Sequence, residues 1–203
     1  MIPRVPRPLI VALALLLAGC TAAQTPAPAT APADVELSDV DLQARWWTWA
    51  LASPEARNPV VDTTGRFCAE DQPKDVWFFA GTFGGKAERT CEVPADRPLA
   101  GPAISHYSAD AADCAKFMAA AKGSVTLDGQ VVELRRIDPV EVRFDAARDN
   151  VVGERAGRVA AQACGLWAWL KALTPGEHEL RVEGESGGLS TAVTYQLKVR
   201  DAG

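Results

Sequence analysis

Hydrophobic and polar positions fall into three regimes along the chain. Leu9 to Ala18 is an uninterrupted apolar run of ten residues, about half the ~20 that a membrane-spanning helix needs. Thr21 to Ala33, TAAQTPAPATAPA, offers almost nothing that packs, and its prolines stiffen it toward an extended form. From Ser38 onward short periodic segments alternate with turn residues. The chain therefore reads as a leader at 1–19, a linker at 20–37 and a folded domain at 38–201.

Within the domain the first segment is helical. Ser38-Asp39-Val40-Asp41 has the form of a helix start, with an acid three residues after the cap. Leu42, Trp46, Trp49 and Ala50 recur at helical spacing until Pro54 ends the run, which predicts a helix over 39–52. A second helix is expected over 109–122, capped by Ser108, stopped by Gly123, and with Cys114 and Met118 on one face. The remaining segments have strand character. Val76 to Phe79, a glycine-rich turn at Gly81, Gly84 and Gly85, and Arg89 to Val93 read as a hairpin whose return strand carries Cys91. Leu99 to Ile104 is a further strand. Val125–Leu127 and Val131–Leu134 flank Asp128-Gly129, a two-residue hairpin signal. Val140, Val142 and Phe144 alternate with charged residues, and Leu166–Leu173, His178–Val182 and Val193–Val199 complete the tail. In the last strand Val193, Tyr195, Leu197 and Val199 face one way and Thr194, Gln196 and Lys198 the other, as in a half-buried antiparallel strand. The expected fold is mainly β with a few helices: an antiparallel β-sandwich, immunoglobulin-like or jelly-roll-like, with the N-terminal helix packed on it. Trp167 and Trp169 share a strand face and are expected in the sandwich core.

The leader has a direction. Met1 to Pro8 holds Arg4 and Arg7 and no acid, and the apolar run follows directly, the arrangement of a secretory signal peptide. Leu17-Ala18-Gly19-Cys20 then resembles a bacterial lipobox. That resemblance implies cleavage before Cys20 and lipid on its thiol, and two or more acyl chains hold a protein firmly at a membrane. Thr21 stands where an Asp typically retains such proteins in the inner membrane, so the resemblance implies the outer membrane, facing the periplasm.

Charge narrows the partners. Loss of residues 1–19 removes two arginines and no acids, so the net charge moves from -5 to -7. An acidic chain without a Lys/Arg cluster is a poor ligand for nucleic acid. With Cys20 lipidated, Cys68, Cys91, Cys114 and Cys164 remain, an even number in an oxidising compartment. Nearest-in-chain pairing, Cys68–Cys91 and Cys114–Cys164, crosses least, although three connectivities are open. No CxxC pair is present and His106 has no spaced ligand partner, so neither a metal nor a cofactor is expected.

Three stretches stand out: Trp46-Trp47-Thr48-Trp49-Ala50-Leu51 with Asp62-Thr63-Thr64-Gly65 and Cys68; Val76-Trp77-Phe78-Phe79-Ala80-Gly81-Thr82-Phe83-Gly84-Gly85 with Cys91; and Pro175-Gly176-Glu177-His178-Glu179-Leu180 with Val193 to Leu197. Together they resemble a group of uncharacterised exported bacterial proteins with a tryptophan-rich start and a β-rich tail. The likeness covers most of 46–199. It implies a β-rich fold and assigns no catalytic residue. Leu99-Ala100-Gly101-Pro102 departs from it, being less aromatic.

Candidate chemistry is sparse. Gly81 to Ala87, GTFGGKA, is one residue short of a phosphate loop and lacks the Ser or Thr that follows its lysine, so a glycine-rich hairpin is expected and no nucleotide. His106 lies among Ser105, Tyr107, Ser108, Asp110 and Asp113, but no G-x-S-x-G accompanies it. His178 sits in an alternating strand as a packing or surface residue. Glu70, Asp71 and Asp75, with Asp62 upstream, lack the spacing of an EF-hand and read as an exposed acidic loop. Trp46, Trp47 and Trp49 are the most unusual cluster. On a helix 46 and 49 or 50 share a face while 47 points elsewhere, so one indole is free to stack on a sugar or anchor a partner. The expectation is a non-catalytic binding or scaffolding module tethered through Cys20, serving an envelope protein or a glycan. The alternatives are an envelope hydrolase of glycans or esters using His106 or the Asp/Glu group, and a carbohydrate-binding module using an exposed Trp47.

Overall fold

In a computed structural model, residues 36–201 are described. The segment expected to be a signal peptide, Cys20 and most of the expected linker lie outside them. Ser38 caps α1 (Asp39–Ala50): its hydroxyl accepts the Asp41 N–H at 3.1 Å, filling one of the unpaired donors of a helix start. The Leu51 N–H closes the last turn on the Trp47 carbonyl, and Pro54 follows. Among the described residues no helix is long and apolar enough to cross a membrane.

Among the described residues nine strands follow: β1 (Trp77–Phe78), β2 (Gly85–Pro94), β3 (Leu99–Ser108), β4 (Lys122–Leu127), β5 (Gln130–Val132), β6 (Arg135–Ala146), β7 (Gly157–Leu170), β8 (Gly176–Ser186) and β9 (Leu189–Arg200). Helix α2 (Ala111–Ala120) lies between β3 and β4. The strands form two sheets packed as a β-sandwich, one ordered β1-β3-β7-β6 and the other β2-β9-β8-β4-β5. Most neighbours are antiparallel, but β1 with β3 and β2 with β9 are parallel.

Helix α1 adds a third layer against the outer face of the first sheet. Side chains alternate across a strand, and here both faces are covered. Trp77, Phe79, Leu99 and Ala168 pack toward the second sheet, while Phe78, Ala80, Ala100 and Trp167 pack against α1. That double burial explains the continuous apolar run from Val76 to Ala80. Trp167 and Trp169 thus belong to the helix–sheet layer and not to the space between the sheets. Trp46, Trp47 and Trp49 are all buried, at 3, 4 and 4% exposure. Each indole hides ~150–250 Å², on the order of 4–6 kcal/mol at ~25 cal/mol per Å².

Several boundaries differ from the sequence reading. The expected hairpin from Val76 to Val93 does not form, because β1 and β2 belong to different sheets. Helix α2 stops at Ala120, and Gly123 lies inside β4, where a Cβ would stand 2.8 Å from that of Ala103. Its cap is Asp110, which accepts the Ala112 N–H, while Ser108 accepts the N–H of Asp110 itself. The four cysteines among the described residues stand in two disulfide pairs. Cys68 with Cys91, Cα atoms 5.8 Å apart, ties the loop after α1 to β2. Cys114 with Cys164, 5.9 Å apart, ties α2 to β7.

Candidate functional site: a cleft at the edge of β3

Strand β1 ends after two residues, and what turns the chain away is a buried polar cluster. Arg89 on β2 is 1% exposed. Its Nε donates to the Asp62 carbonyl (2.7 Å), Nη1 to the Ala80 carbonyl (2.9 Å) and Nη2 to the carbonyls of Val60 (2.8 Å) and Gly81 (3.2 Å). Nη1 also donates to the Tyr195 hydroxyl. All five guanidinium N–H groups are used. The Tyr195 hydroxyl in turn donates to the Ala80 carbonyl and accepts the Ala80 N–H. Beyond it, the Thr82 N–H donates to Thr191 Oγ1 at 2.7 Å. Residues 80–82 are thereby clamped to β2 and β9 and swing off the sheet. Gly81 is required there, since a Cβ would lie 2.7 Å from Thr191 Oγ1.

Strand β3 continues without them. It pairs with β7 from Leu99 to Ser108, but with β1 only at Leu99 and Ala100. In the place where a longer β1 would run there is a cleft of about 240 Å³. One wall is Pro102 to Tyr107 of β3, and the opposite wall is Gly81 to Phe83. Trp46 and Trp47 close it on the α1 side, Leu189 and Thr191 on the side of the second sheet. Phe83 and Val152 also line it and remain 44 and 40% exposed, so apolar surface is presented at its mouth.

Trp46 and Trp47 therefore reach this site as buried wall residues and not as exposed platforms, and Trp49 does not line it. Trp46 donates its indole N–H to the Phe79 carbonyl and Trp49 to that of Glu70, both at 2.9 Å. Trp47 packs edge-on against Tyr107, with centroids 4.6 Å apart. Its indole N–H has no acceptor among the described residues. The exposed Trp47 on which sugar stacking depends is absent: helix position 47 points into the Tyr107 and Phe144 rings of the first sheet.

The titratable groups at the cleft are quiet ones. His106 stacks on Phe117 of α2, with centroids 5.0 Å apart. Burial lowers its pKa against the opposing pull of Asp113, so the ring is neutral at neutral pH. Burial, with Glu154 beside it, pushes the Tyr107 hydroxyl up to about 12, and that hydroxyl donates to Glu154 at 3.3 Å. Ser108, near His106, donates its hydroxyl to the Asp113 carboxylate at 2.8 Å. Asp62 shapes the loop before β2, accepting the N–H groups of Thr64 and Phe67. Partial burial works to raise its pKa, but these bonds, the Thr64 hydroxyl and the Arg89 charge hold it low.

The other acids do not converge. Glu70 pairs with Arg57 at 2.7 Å and Asp75 with Arg45, while Asp71 takes a left-handed turn conformation with φ 51°. Among the described residues no group of three His, Cys, Asp or Glu is placed to hold a metal. Sequence reasoning found Trp46 and Trp47 but missed Phe83, Val152 and the Pro102–Tyr107 edge. The available signal was Phe83 itself, a large apolar residue set between Thr82 and Gly84 in a turn. Compared with protein-family models, curated proteins and solved structures, the chain finds no match.

Proposed function

We propose that this protein is a non-catalytic binding module of the bacterial cell envelope, held by lipid on Cys20 at the outer membrane and facing the periplasm. The observation that carries the binding half of the reading is the cleft beside β3, with Phe83 and Val152 presented at its mouth. An apolar cleft with a small number of polar groups is the usual form of a recognition site. The anchoring half rests on the Leu17-to-Cys20 signal and the Ala/Pro/Thr spacer after it, which suit a domain held away from a bilayer.

Binding is tested with anilinonaphthalene sulfonate, which fluoresces in apolar sites. Titration into the protein is expected to give saturable fluorescence that Phe83→Asp and Val152→Asp each diminish. Undiminished, parent-level fluorescence from both variants, or none from the parent, removes the cleft as a site. The anchor is tested by Cys20→Ser, which is expected to leave an uncut precursor without lipid label; a mature soluble product from that variant refutes it.

A further inference from the structure

We infer that the cleft receives an extended peptide segment of another envelope protein, which adds as a strand along the open edge of β3 in the position that a longer β1 would hold. This rests on the binding reading above and names the ligand class of the same site. Three features favour a peptide over a free apolar ligand.

The first is backbone. Beyond Ala100 no strand pairs with β3 on the β1 side among the described residues, and an edge strand carries unpaired N–H and C=O groups on alternate residues. An acyl chain or aromatic molecule lying there leaves those groups dry, at a cost that an incoming strand avoids. Pro102 has no N–H to offer. Ala103, fully buried at a register shift, turns its carbonyl toward Gly184 of the second sheet, so the usable edge runs from Ile104 to Tyr107 and spans ~13 Å at ~3.3 Å per residue, the length of a short strand.

The second is size. A cleft of about 240 Å³ falls below the ~300–1,000 Å³ of sites that enclose a free small molecule. It suits one large apolar side chain projecting from a strand. The third is rigidity. The facing wall, residues 80–82, is fixed by Arg89, Tyr195 and Thr191, so the slot is preformed and little ordering free energy is spent on closing it.

The probe is a pool of short random-sequence peptides selected on the full-length protein. The tightest binder is resynthesised with alternate backbone amides N-methylated in each of the two possible registers. Strand addition predicts a large apolar residue in the binder and slowed amide exchange within residues 104–107. N-methylation in one register is expected to weaken binding by at least about tenfold while the other register is tolerated. Phe83→Asp, at an exposed position, is expected to weaken it similarly with an unchanged melting temperature. Equal tolerance of both registers, or binding indifferent to Phe83→Asp, overturns the proposal. A pool that yields no binder overturns it too. If anilinonaphthalene sulfonate still binds in a Phe83-dependent way, the cleft stands and only its peptide ligand is lost; if that probe also fails, both readings fall together.

Discussion

Replacing Arg89 by Met is the sharpest perturbation the fold offers. Methionine fills most of the aliphatic volume and donates nothing. The carbonyls of Val60, Asp62 and Gly81 then have no donor among the described residues, while Ala80 keeps the Tyr195 hydroxyl. An orphaned buried acceptor costs ~1–3 kcal/mol. Val60 is buried, whereas the bonds to Asp62 and Gly81 are only part-buried, so water recovers some of the loss. The sum is ~3–5 kcal/mol, which for a domain of this size lowers the melting temperature by roughly 8–15 °C. Arg89→Lys restores the charge and up to three donors from a single nitrogen and is expected to cost about 2 kcal/mol. The assay is urea unfolding followed by tryptophan fluorescence, with thermal melts as a check. An Arg89→Met variant within about 1 kcal/mol of the parent, or a Lys variant no better than Met, would falsify the clamp.

Three further outcomes follow from local geometry. His178 directs Nδ1 at the Asp128 carboxylate (2.7 Å) and Nε2 at the Thr174 carbonyl (2.9 Å); the Asp128 bond chiefly raises its pKa above 6.5, burial opposing. Its stabilisation, ~0.5 kcal/mol for so exposed a carboxylate partner, is therefore complete below the unfolded value and lost as pH rises through the folded one. Urea midpoints measured from about pH 6 to about pH 8 should fall more steeply for the parent than for His178→Gln, and parallel slopes contradict the assignment. Gly184→Ala drives a methyl into the Ala103 carbonyl across the sandwich and should destabilise by ~1–3 kcal/mol, visible in the same unfolding curves; a neutral result means the sheets separate freely there. Removing Cys114–Cys164 by paired Ala substitution releases a 50-residue loop, for which chain entropy gives ~4 kcal/mol; a loss below about 1 kcal/mol shows that the unfolded chain is constrained by other means.

Local chemistry was legible wherever it decided the structure alone. Ser38 and Asp41 announce α1, Asp128-Gly129 announces the β4–β5 turn, and the alternation of Val193 to Val199 announces β9. What the sequence leaves hidden is partnership. Val76 to Ala80 and Arg89 to Val93 look like two arms of one hairpin, since glycines separate them. The actual partners are Leu99–Ala100 and Tyr195–Val199, chosen by which faces bury, and no local pattern encodes that. The same blindness applies to the site. Phe83 and Val152 lie far apart in sequence, and they line one opening because β1 stops short and the loop before β7 reaches the same cleft. Trp47 illustrates the converse: helical periodicity placed it off the face of Trp46, but the face of α1 turned to the sheet is broad enough to hold three indoles.

The parallel pairing of β2 with β9 has a kinetic consequence. Gly85 aligns with Thr191 and Pro94 with Arg200, so a strand from the middle of the chain waits for the last one to be made. Until β9 is in place, Arg89 lacks Tyr195, β2 has no sheet to join, and the wall at residues 80–82 has nothing to lean on. Pairing across such sequence separation slows folding, because chain closure precedes the contacts that reward it. The binding slot is therefore among the final parts of the molecule to exist. A nascent or truncated chain displays the apolar Val76–Ala80 run before it displays a site, which leaves that run in need of shielding until the C-terminal strand arrives.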